Sequence, residues 1–186
     1  MFTLNAQVRS AKSKGEVKGL RRNKKIPAVL YGRAGENQSV AVDLAAFESV
    51  LRKIPKGGLS TTRFELDIEG KKQPAILKEV QYSRVGYNVL HLDFESLRDD
   101  SRVNLNVPVR IKGEMDCVGI KVGGVLRRVI RAVRVSALPK DIPTHFTLDV
   151  SKLGMKQSLR VRDIEVPEGV RMLSATEEVV VVIAKR

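Results

Sequence analysis

Hydrophobic and polar residues alternate from almost the first position, with Phe2, Leu4, Ala6 and Val8 set against Thr3, Asn5, Gln7 and Arg9. A period of two predicts a half-buried strand that Arg9 leaves on its wet face. Ile26 to Tyr31 predicts a second strand, in which Pro27, lacking a donor, belongs at the start or at an edge. Tyr31 then falls on the face opposite Ile26, Ala28 and Leu30, and Gly32 ends the run. Val40 to Val42 is a third, short strand. Asp43 follows as the cap of a helix with Leu44, Phe47, Val50, Leu51 and Ile54 on one face, stopped by Pro55, Gly57 and Gly58. A hairpin comes next: Phe64, Leu66 and Ile68 point inward, the chain turns over Glu69 to Lys72, and it returns through Pro74 to Tyr82. Leu90, Leu92 and Phe94 point one way in the strand after it, His91 and Asp93 the other. About six short strands with one or two helices predict a small barrel or a strongly curved sheet, since an open sheet would leave exposed edges.

A polar joint, Glu95 to Arg102, separates this half from the next and divides the chain into domains at 1–95 and 96–186. Beyond it the pattern is all β. Val103, Leu105, Val107 and Val109 alternate with Arg102, Asn104 and Asn106, and a glycine-rich loop spans Gly113 to Gly124. Arg131 to Val135 and Phe146 to Val150 are strands separated by a turn over Leu138 to Pro143. Leu159 and Val161 lie opposite Arg160 and Arg162, Pro167 to Gly169 make a turn, and Val179 to Ile183 is a buried strand. Short strands at this spacing predict a β-sandwich-like domain. The phrases H-L-D-F-E-S-L and T-L-D-V-S-K-L echo one another, but one pair of echoes does not make a repeat.

Charge changes the picture between the first two strands. Arg9, Lys12, Lys14, Lys18, Arg21, Arg22, Lys24 and Lys25 face the single acid Glu16, and the stretch reads as a cationic loop pinned between strands. The chain carries 34 basic and 21 acidic residues, a net +13, of which residues 1–33 alone supply +8 from nine Lys and Arg and one acid. Charge segregated in this way is the footprint of a polyanionic partner. Gly15 and Gly19 would let its backbone approach closely. RNA is favoured over DNA, because no recognition helix for a major groove is visible and a sheet face carrying Tyr31 and His91 suits a wide minor groove or unstacked bases.

Candidate chemistry is sparse. His91 and Asp93 share a strand face, which fits an exposed polar pair or an RNA contact better than acid-base catalysis. His145 and Cys117 are the remaining soft ligands and are not clustered with them, so no metal is expected. No glycine-rich nucleotide motif occurs, and Gly123 and Gly124 read as a tight turn rather than a phosphate cradle. Arg127, Arg128, Arg131 and Arg134 break strict alternation, which implies a bulge or a pause between strands; they form either a solvated face or a second RNA contact. A single cysteine excludes an intrachain disulfide and points to a reducing compartment. With no long apolar run and no signal-peptide pattern, the expectation is a cytoplasmic, non-enzymatic protein with no cofactor, no membrane and no small-molecule substrate.

Several dispersed motifs carry a resemblance. M-F-T-L-N-A-Q-V-R at the start, K-G-x-x-x-x-L-R over Lys14 to Arg21, I-P-A-V-L-Y-G over Ile26 to Gly32, and V-Q followed by L-H-L-D-F over Leu90 to Phe94 resemble the bacterial large-subunit ribosomal protein that binds 5S ribosomal RNA. V-P-V, K-V-G-G-V-L, L-P-K-D-I-P, L-D-V-S-K-L and V-P-E-G-V in the second half resemble the extra domain of its long form, the Ctc general stress protein. The resemblance implies a six- or seven-stranded barrel docked on the minor-groove side of loop E of 5S rRNA, near the central protuberance. It also implies a β-sandwich-like domain reaching other large-subunit rRNA and ribosomal proteins. Matching positions imply RNA contacts by Arg9, Lys14, Arg21, Tyr31, Lys78, Gln81, His91 and Asp93, which Lys18 and Arg22 of the basic stretch join. The chain departs from the family's usual pair of consecutive arginines, having Lys18 and Gly19 there, and its segment Tyr82 to Asn88 also differs. A different reading is an RNA-binding stress factor or RNA chaperone acting partly off the ribosome.

Overall fold

A computed structural model describes residues 1–10, 13–32 and 37–185, and its chain divides into two units, Met1–Ser101 and Arg102–Arg186. Lys12 and Arg33 of the basic N-terminal segment lie outside the described residues.

The first unit is a closed six-stranded barrel in the order β1-β3-β2-β6-β5-β4. Its strands are β1 (Phe2–Val8), β2 (Lys25–Tyr31), β3 (Gln38–Asp43), β4 (Arg63–Ile68), β5 (Lys71–Tyr82) and β6 (Val89–Ser96). Closure is by a parallel pairing of β1 with β4, from Phe2 opposite Phe64 to Ala6 opposite Ile68, so every strand has two neighbours and no edge is left open. The alternating residues fill the interior: Leu4, Ala6, Ile26, Ala28, Leu30, Val40, Val42, Phe64, Leu66, Leu92 and Phe94 form one buried cluster. Phe64 and Phe94 meet edge to face with ring centroids 5.8 Å apart. Pro27 lies inside β2 one residue before its pairing with β6 begins at Ala28, where the missing donor costs no ladder bond on that side.

Helix α2 (Leu44–Lys53) adds Phe47 and Val50 to the core, capped by Asp43, whose Oδ1 accepts from Ala46 N at 2.9 Å. Ile54 is extended ahead of Pro55, as a residue before proline must be, and ends the helix. The β4–β5 hairpin turns on two residues, Glu69 and Gly70, both at positive φ (53° and 85°), which is the type I′ geometry that matches strand twist.

The basic stretch is not a loop. Lys14–Arg22 is an α-helix, α1. Two signals outweigh the charge and the glycines. Ser13 and Glu16 form a capping box, the Ser13 side chain accepting from Glu16 N and the Glu16 carboxylate from Ser13 N. Val17 and Leu20, three apart, are half-buried on one side of the helix, which packs against β2. The lone acid sits in the first turn and Arg21 and Arg22 in the last, each favoured by the helix dipole.

Leu90 also departs from the alternation, because β5 and β6 slip register next to it; Val89, not Leu90, packs against the core cluster.

The second unit contains two sheets. One has the order β10-β7-β9-β12, from β7 (Val103–Lys112), β9 (Ala132–Ala137), β10 (Phe146–Asp149) and β12 (Arg171–Met172). The other has the order β11-β13-β8, from β8 (Gly124–Arg128), β11 (Ser158–Arg160) and β13 (Val179–Lys185). Val103, Leu105, Val107, Val133, Val135, Phe146, Leu148, Val181 and Ile183 are buried in it. β11 ends at Arg160 and Val161–Asp163 form a 3-10 turn, so the alternation expected across Leu159 to Arg162 stops halfway. A short helix, α3 (Val118–Lys121), interrupts the glycine-rich loop, and Gly124 has to be glycine because a Cβ would stand 2.6 Å from the Gly119 carbonyl oxygen.

Gly19 lies mid-helix, and among the described residues no atom outside the helix's own neighbouring backbone comes within 4 Å of where a Cβ would stand. Gly19→Ala is expected to stabilise the free protein by about 0.5–1 kcal/mol, the usual helix-propensity difference. Denaturant unfolding checks it, and a loss of stability would show that some part of this chain needs the open Cα.

Candidate nucleic-acid interface

α1 sorts its side chains by face. Lys14, Lys18 and Arg22 follow at i, i+4 and i+8 and are exposed, which makes one cationic stripe. Val17 and Leu20 occupy the side toward the barrel. Gly15 and Gly19, also four apart, form a third side without side chains, and among the described residues no atom beyond the helix's own neighbouring turn comes within 4 Å of where a Cβ would stand.

What holds α1 beside the sheet is Arg21. Its Nε and Nη2 both donate to the Leu90 carbonyl, at 3.2 and 3.0 Å. That carbonyl is available because Leu90 is the extra residue where β6 slips against β5: Gln81 pairs with His91, yet Tyr82 pairs with Val89. Arg21 is thus an anchor as well as a cation. Arg9 is similarly committed, its Nε donating to Val40 O at 3.1 Å. Lys25 Nζ donates to Gln7 Oε1 at 2.6 Å.

A second slip shapes the outer face of β5. Leu77 pairs with Phe94 and Glu79 with Asp93, so Lys78 is bulged out of the ladder. The bulge turns Val80 toward the core and places Gln81 opposite His91 on the outside. The outer face of β2, β6 and β5 therefore gathers Tyr31, Lys78, Glu79, Gln81, His91, Asp93 and Glu95. Lys78 Nζ lies 2.6 Å from Glu95 Oε2, and His91 Nδ1 lies 2.6 Å from Asp93 Oδ1. The latter contact requires a proton on Nδ1, which leaves Nε2 of a neutral imidazole as an acceptor. Tyr31 stands opposite Glu95 in the parallel register, and its phenol is raised above its ordinary value of 10.0, by burial first and then by Glu95, Asp93 and Glu79.

Sequence reasoning named Tyr31, Lys78, Gln81, His91 and Asp93, and the structure brings all five onto this face. It overlooked Glu79, Glu95 and the Leu90 carbonyl. Glu95 was readable, since it continues the outward phase of His91 and Asp93 along β6. Glu79 and Leu90 were not, because each depends on a register slip.

The arginine cluster of the second unit is divided. Arg127 and Arg128 lie on β8 in the three-stranded sheet, Arg134 on β9 in the four-stranded sheet, and Arg131 in the connection between them. Arg128 Nη2 is 3.7 Å from Glu114 Oε2. Cys117 is buried, with Sγ 3.4 Å from Leu153 O, and His145 Nδ1 is taken up by Thr144 Oγ1 at 3.0 Å. Among the described residues no group of three His, Cys, Asp or Glu could hold a metal ion, and no helix is long and apolar enough to cross a membrane.

Architecture and charge together define a basic two-domain β protein, a barrel with a docked cationic helix followed by a double-sheet unit. Residues 4–94 match the sequence profile of the ribosomal L25p family, and residues 102–186 match that of the C-terminal domain of ribosomal protein TL5. The large ribosomal subunit protein bL25 of Chlamydia trachomatis serovar L2 is 43% identical over 183 residues, covering 98% of this chain and 99% of that protein. Those of Chlamydia caviae and Chlamydia pneumoniae are 42% and 39% identical over 178 residues, covering 96% of each chain. The chain belongs to the ribosomal L25p family, in its long, two-domain form.

Two outcomes follow from the geometry. Arg21→Ala is expected to speed amide exchange across Val17 to Arg22 by the loss of about 1 kcal/mol of anchoring, while the β-strand amides keep their protection. Unchanged exchange in α1 would mean that the Leu90 bond does not hold it. Because the Tyr31 phenol titrates above 10.0 in the fold, its contribution to stability is full below pH 10 and is lost as pH rises through the higher folded value. The alkaline absorbance titration of wild type minus Tyr31→Phe is expected to show a midpoint above 10; one at or below 10 would contradict the crowding by Glu95 and Asp93.

Proposed function

We propose that this chain is a structural, non-enzymatic protein of the large ribosomal subunit whose barrel binds 5S rRNA on the minor-groove side of loop E. The observation that carries this reading is the fixed adjacency of two unlike surfaces. α1 offers the cationic stripe Lys14, Lys18 and Arg22, and Arg21 pins it to the strand that bears His91 and Asp93.

The two surfaces suit different parts of an RNA helix. Phosphates go to α1, where cations neutralise them and release counterions. They would be repelled by Glu79, Asp93 and Glu95. What that face can bind is donors, through the carboxylate of Asp93, the amide of Gln81 and Nε2 of His91. A-form RNA presents donors in its wide, shallow minor groove, as 2′-hydroxyls along the sugars and as the guanine amino group. DNA lacks the hydroxyls. The open Gly15 and Gly19 side would let a sugar–phosphate strand run close along α1.

Charge-removing substitutions separate the two roles by their salt dependence. Lys14→Gln/Lys18→Gln/Arg22→Gln is expected to weaken binding to a 5S rRNA transcript by roughly tenfold or more and to lower the salt slope by about 2–3, at about 0.7–0.9 per phosphate contact. Asp93→Ala is expected to weaken binding by about 1–3 kcal/mol with the salt slope unchanged. Tighter binding by Asp93→Ala would mean that phosphates, not hydroxyls or amines, meet this face, and the reading would fail.

A further inference from the structure

The two sheets of the second unit present unlike outer faces. On the three-stranded sheet the outward phase is mostly apolar: Val125 and Arg127 on β8 pair with Ala184 and Val182 on β13. On the four-stranded sheet the outward phase is mostly polar and strongly basic, with Pro108 and Ala132 as its apolar positions. From Arg102, just ahead of β7, it reads Arg102, Asn104 and Asn106, then Arg110 and Lys112 beyond Pro108, set against the buried Val103, Leu105, Val107 and Val109. Arg134 stands opposite Asn106 and Ser136 opposite Asn104 on β9; Arg171 of β12 stands opposite Ser136; Thr147 of β10 stands opposite Arg110. Arg102 and Arg171 flank a groove of about 510 Å³ that Ser136 also lines, and Arg102 Nη1 donates to Gly169 O at 3.3 Å there.

Five cations thus share one face. Its acid is Asp149, opposite Lys112, whose Oδ1 is already occupied by Ser151 N and Oγ at 2.9 and 2.5 Å. Among the described residues no carboxylate forms an ion pair with Arg102, Arg110, Lys112, Arg134 or Arg171. Cations held apart on a rigid sheet, with Asn, Ser and Thr between them and no aromatic side chain to stack a base, are equipped for phosphates and sugars rather than for base edges.

We infer that the solvent face of the β10-β7-β9-β12 sheet is a second RNA-backbone site, through which the second unit holds a segment of the long ribosomal RNA chain of the large subunit. The inference rests on the reading of this protein as a large-subunit component and extends it to a surface that the Arg127 to Arg134 run does not define. Only Arg134 belongs to both. The site is sequence-tolerant, because its contacts are charge and hydrogen bonds to a repeating backbone.

The test uses the full-length chain and its variant Arg110→Gln/Arg134→Gln/Arg171→Gln, which spares Arg102 and its bond to Gly169. Each is titrated separately onto 5S rRNA and onto the deproteinised long rRNA chain of the large subunit, with an unrelated structured RNA in excess as competitor. The variant is expected to bind the long chain roughly tenfold more weakly with a salt slope lower by about 2, and to keep its 5S affinity and its thermal midpoint. Unchanged affinity for the long chain overturns the inference. So does a variant that binds both RNAs normally yet no longer joins protein-containing large subunits, because the face would then meet a ribosomal protein. Failure of the 5S reading is distinguishable, since it shows as wild-type protein that ignores the 5S transcript. If the triple variant does not fold, iron-EDTA tethered at Thr147→Cys or at Val125→Cys decides, Cys117 being buried and unlabelled. Cuts in the long rRNA from Thr147→Cys alone uphold the site; equal cuts from both positions, or none, overturn it.

Discussion

β5 and β6 slip against each other twice, and the surface the barrel presents follows from those slips. Without the bulge at Lys78, the alternation that sends Ala75 and Leu77 inward would carry Glu79 inward and Val80 out. A carboxylate would then face an apolar barrel, at a cost of several kcal/mol unless it neutralised. With the bulge, Val80 packs inside and Glu79 and Gln81 stand opposite Asp93 and His91. The second slip frees the Leu90 carbonyl from its ladder partner, and a freed backbone acceptor at a sheet surface needs a donor. Arg21 supplies two N–H groups to it. One irregularity in strand pairing therefore composes the acceptor face, and the other fixes where the cationic helix stands beside it.

That arrangement explains why so basic a chain keeps acids in its candidate interface. A uniformly positive surface would hold any nucleic acid by its phosphates, with little to distinguish one groove from another. On the proposed reading, setting Glu79, Asp93 and Glu95 on the strands and Lys14, Lys18 and Arg22 on the helix favours one placement of a duplex, with phosphates over α1 and the groove over the strands. Lys78 balances part of the acidic charge through its contact with Glu95, and His91 orders the Asp93 carboxylate through Nδ1. The raised Tyr31 phenol reports the same crowding from within the sheet.

The barrel was legible in the sequence because β1, β4 and the His91 to Glu95 part of β6 alternate cleanly and Asp43 and Pro55 bracket α2 with unambiguous signals. α1 was not, for a physical reason. Its apolar content is only Val17 and Leu20, its two glycines lower its propensity, and its like charges repel, so composition describes a solvated loop while the Ser13–Glu16 capping box describes a helix. Most of the candidate residues on the strands were readable from their phase, as with His91, Asp93 and Tyr31. Roles that hang on a bulge were readable only as a hint, the adjacent charged pair Lys78 and Glu79 interrupting an apolar run. In the second unit, the run Arg127 to Arg134 is visible in the sequence because its arginines are close together. The cations that share a face come from β7, β9, β12 and the residue just before β7, with Arg102 eight residues from Arg110, so no local run displays them.

α1 is also poised energetically. Lys14 with Lys18, Lys18 with Arg22 and Lys18 with Arg21 are like-charge pairs at helical spacing, each unfavourable by about 0.2–0.5 kcal/mol at low salt. Each of its two glycines costs up to about 1 kcal/mol relative to alanine in a helix interior. Nine residues are too few to sustain a helix alone, so the capping box, the Val17 and Leu20 contacts and the Arg21 anchor carry it. A bound polyanion removes the repulsion that these terms oppose. By linkage, what binds the folded helix stabilises it, and relief of repulsion adds to the affinity instead of being spent on folding a disordered loop. The capping box and the anchor therefore do more than shape the free protein. They meet in advance the ordering cost that an unstructured cationic segment would have to meet at the moment of binding.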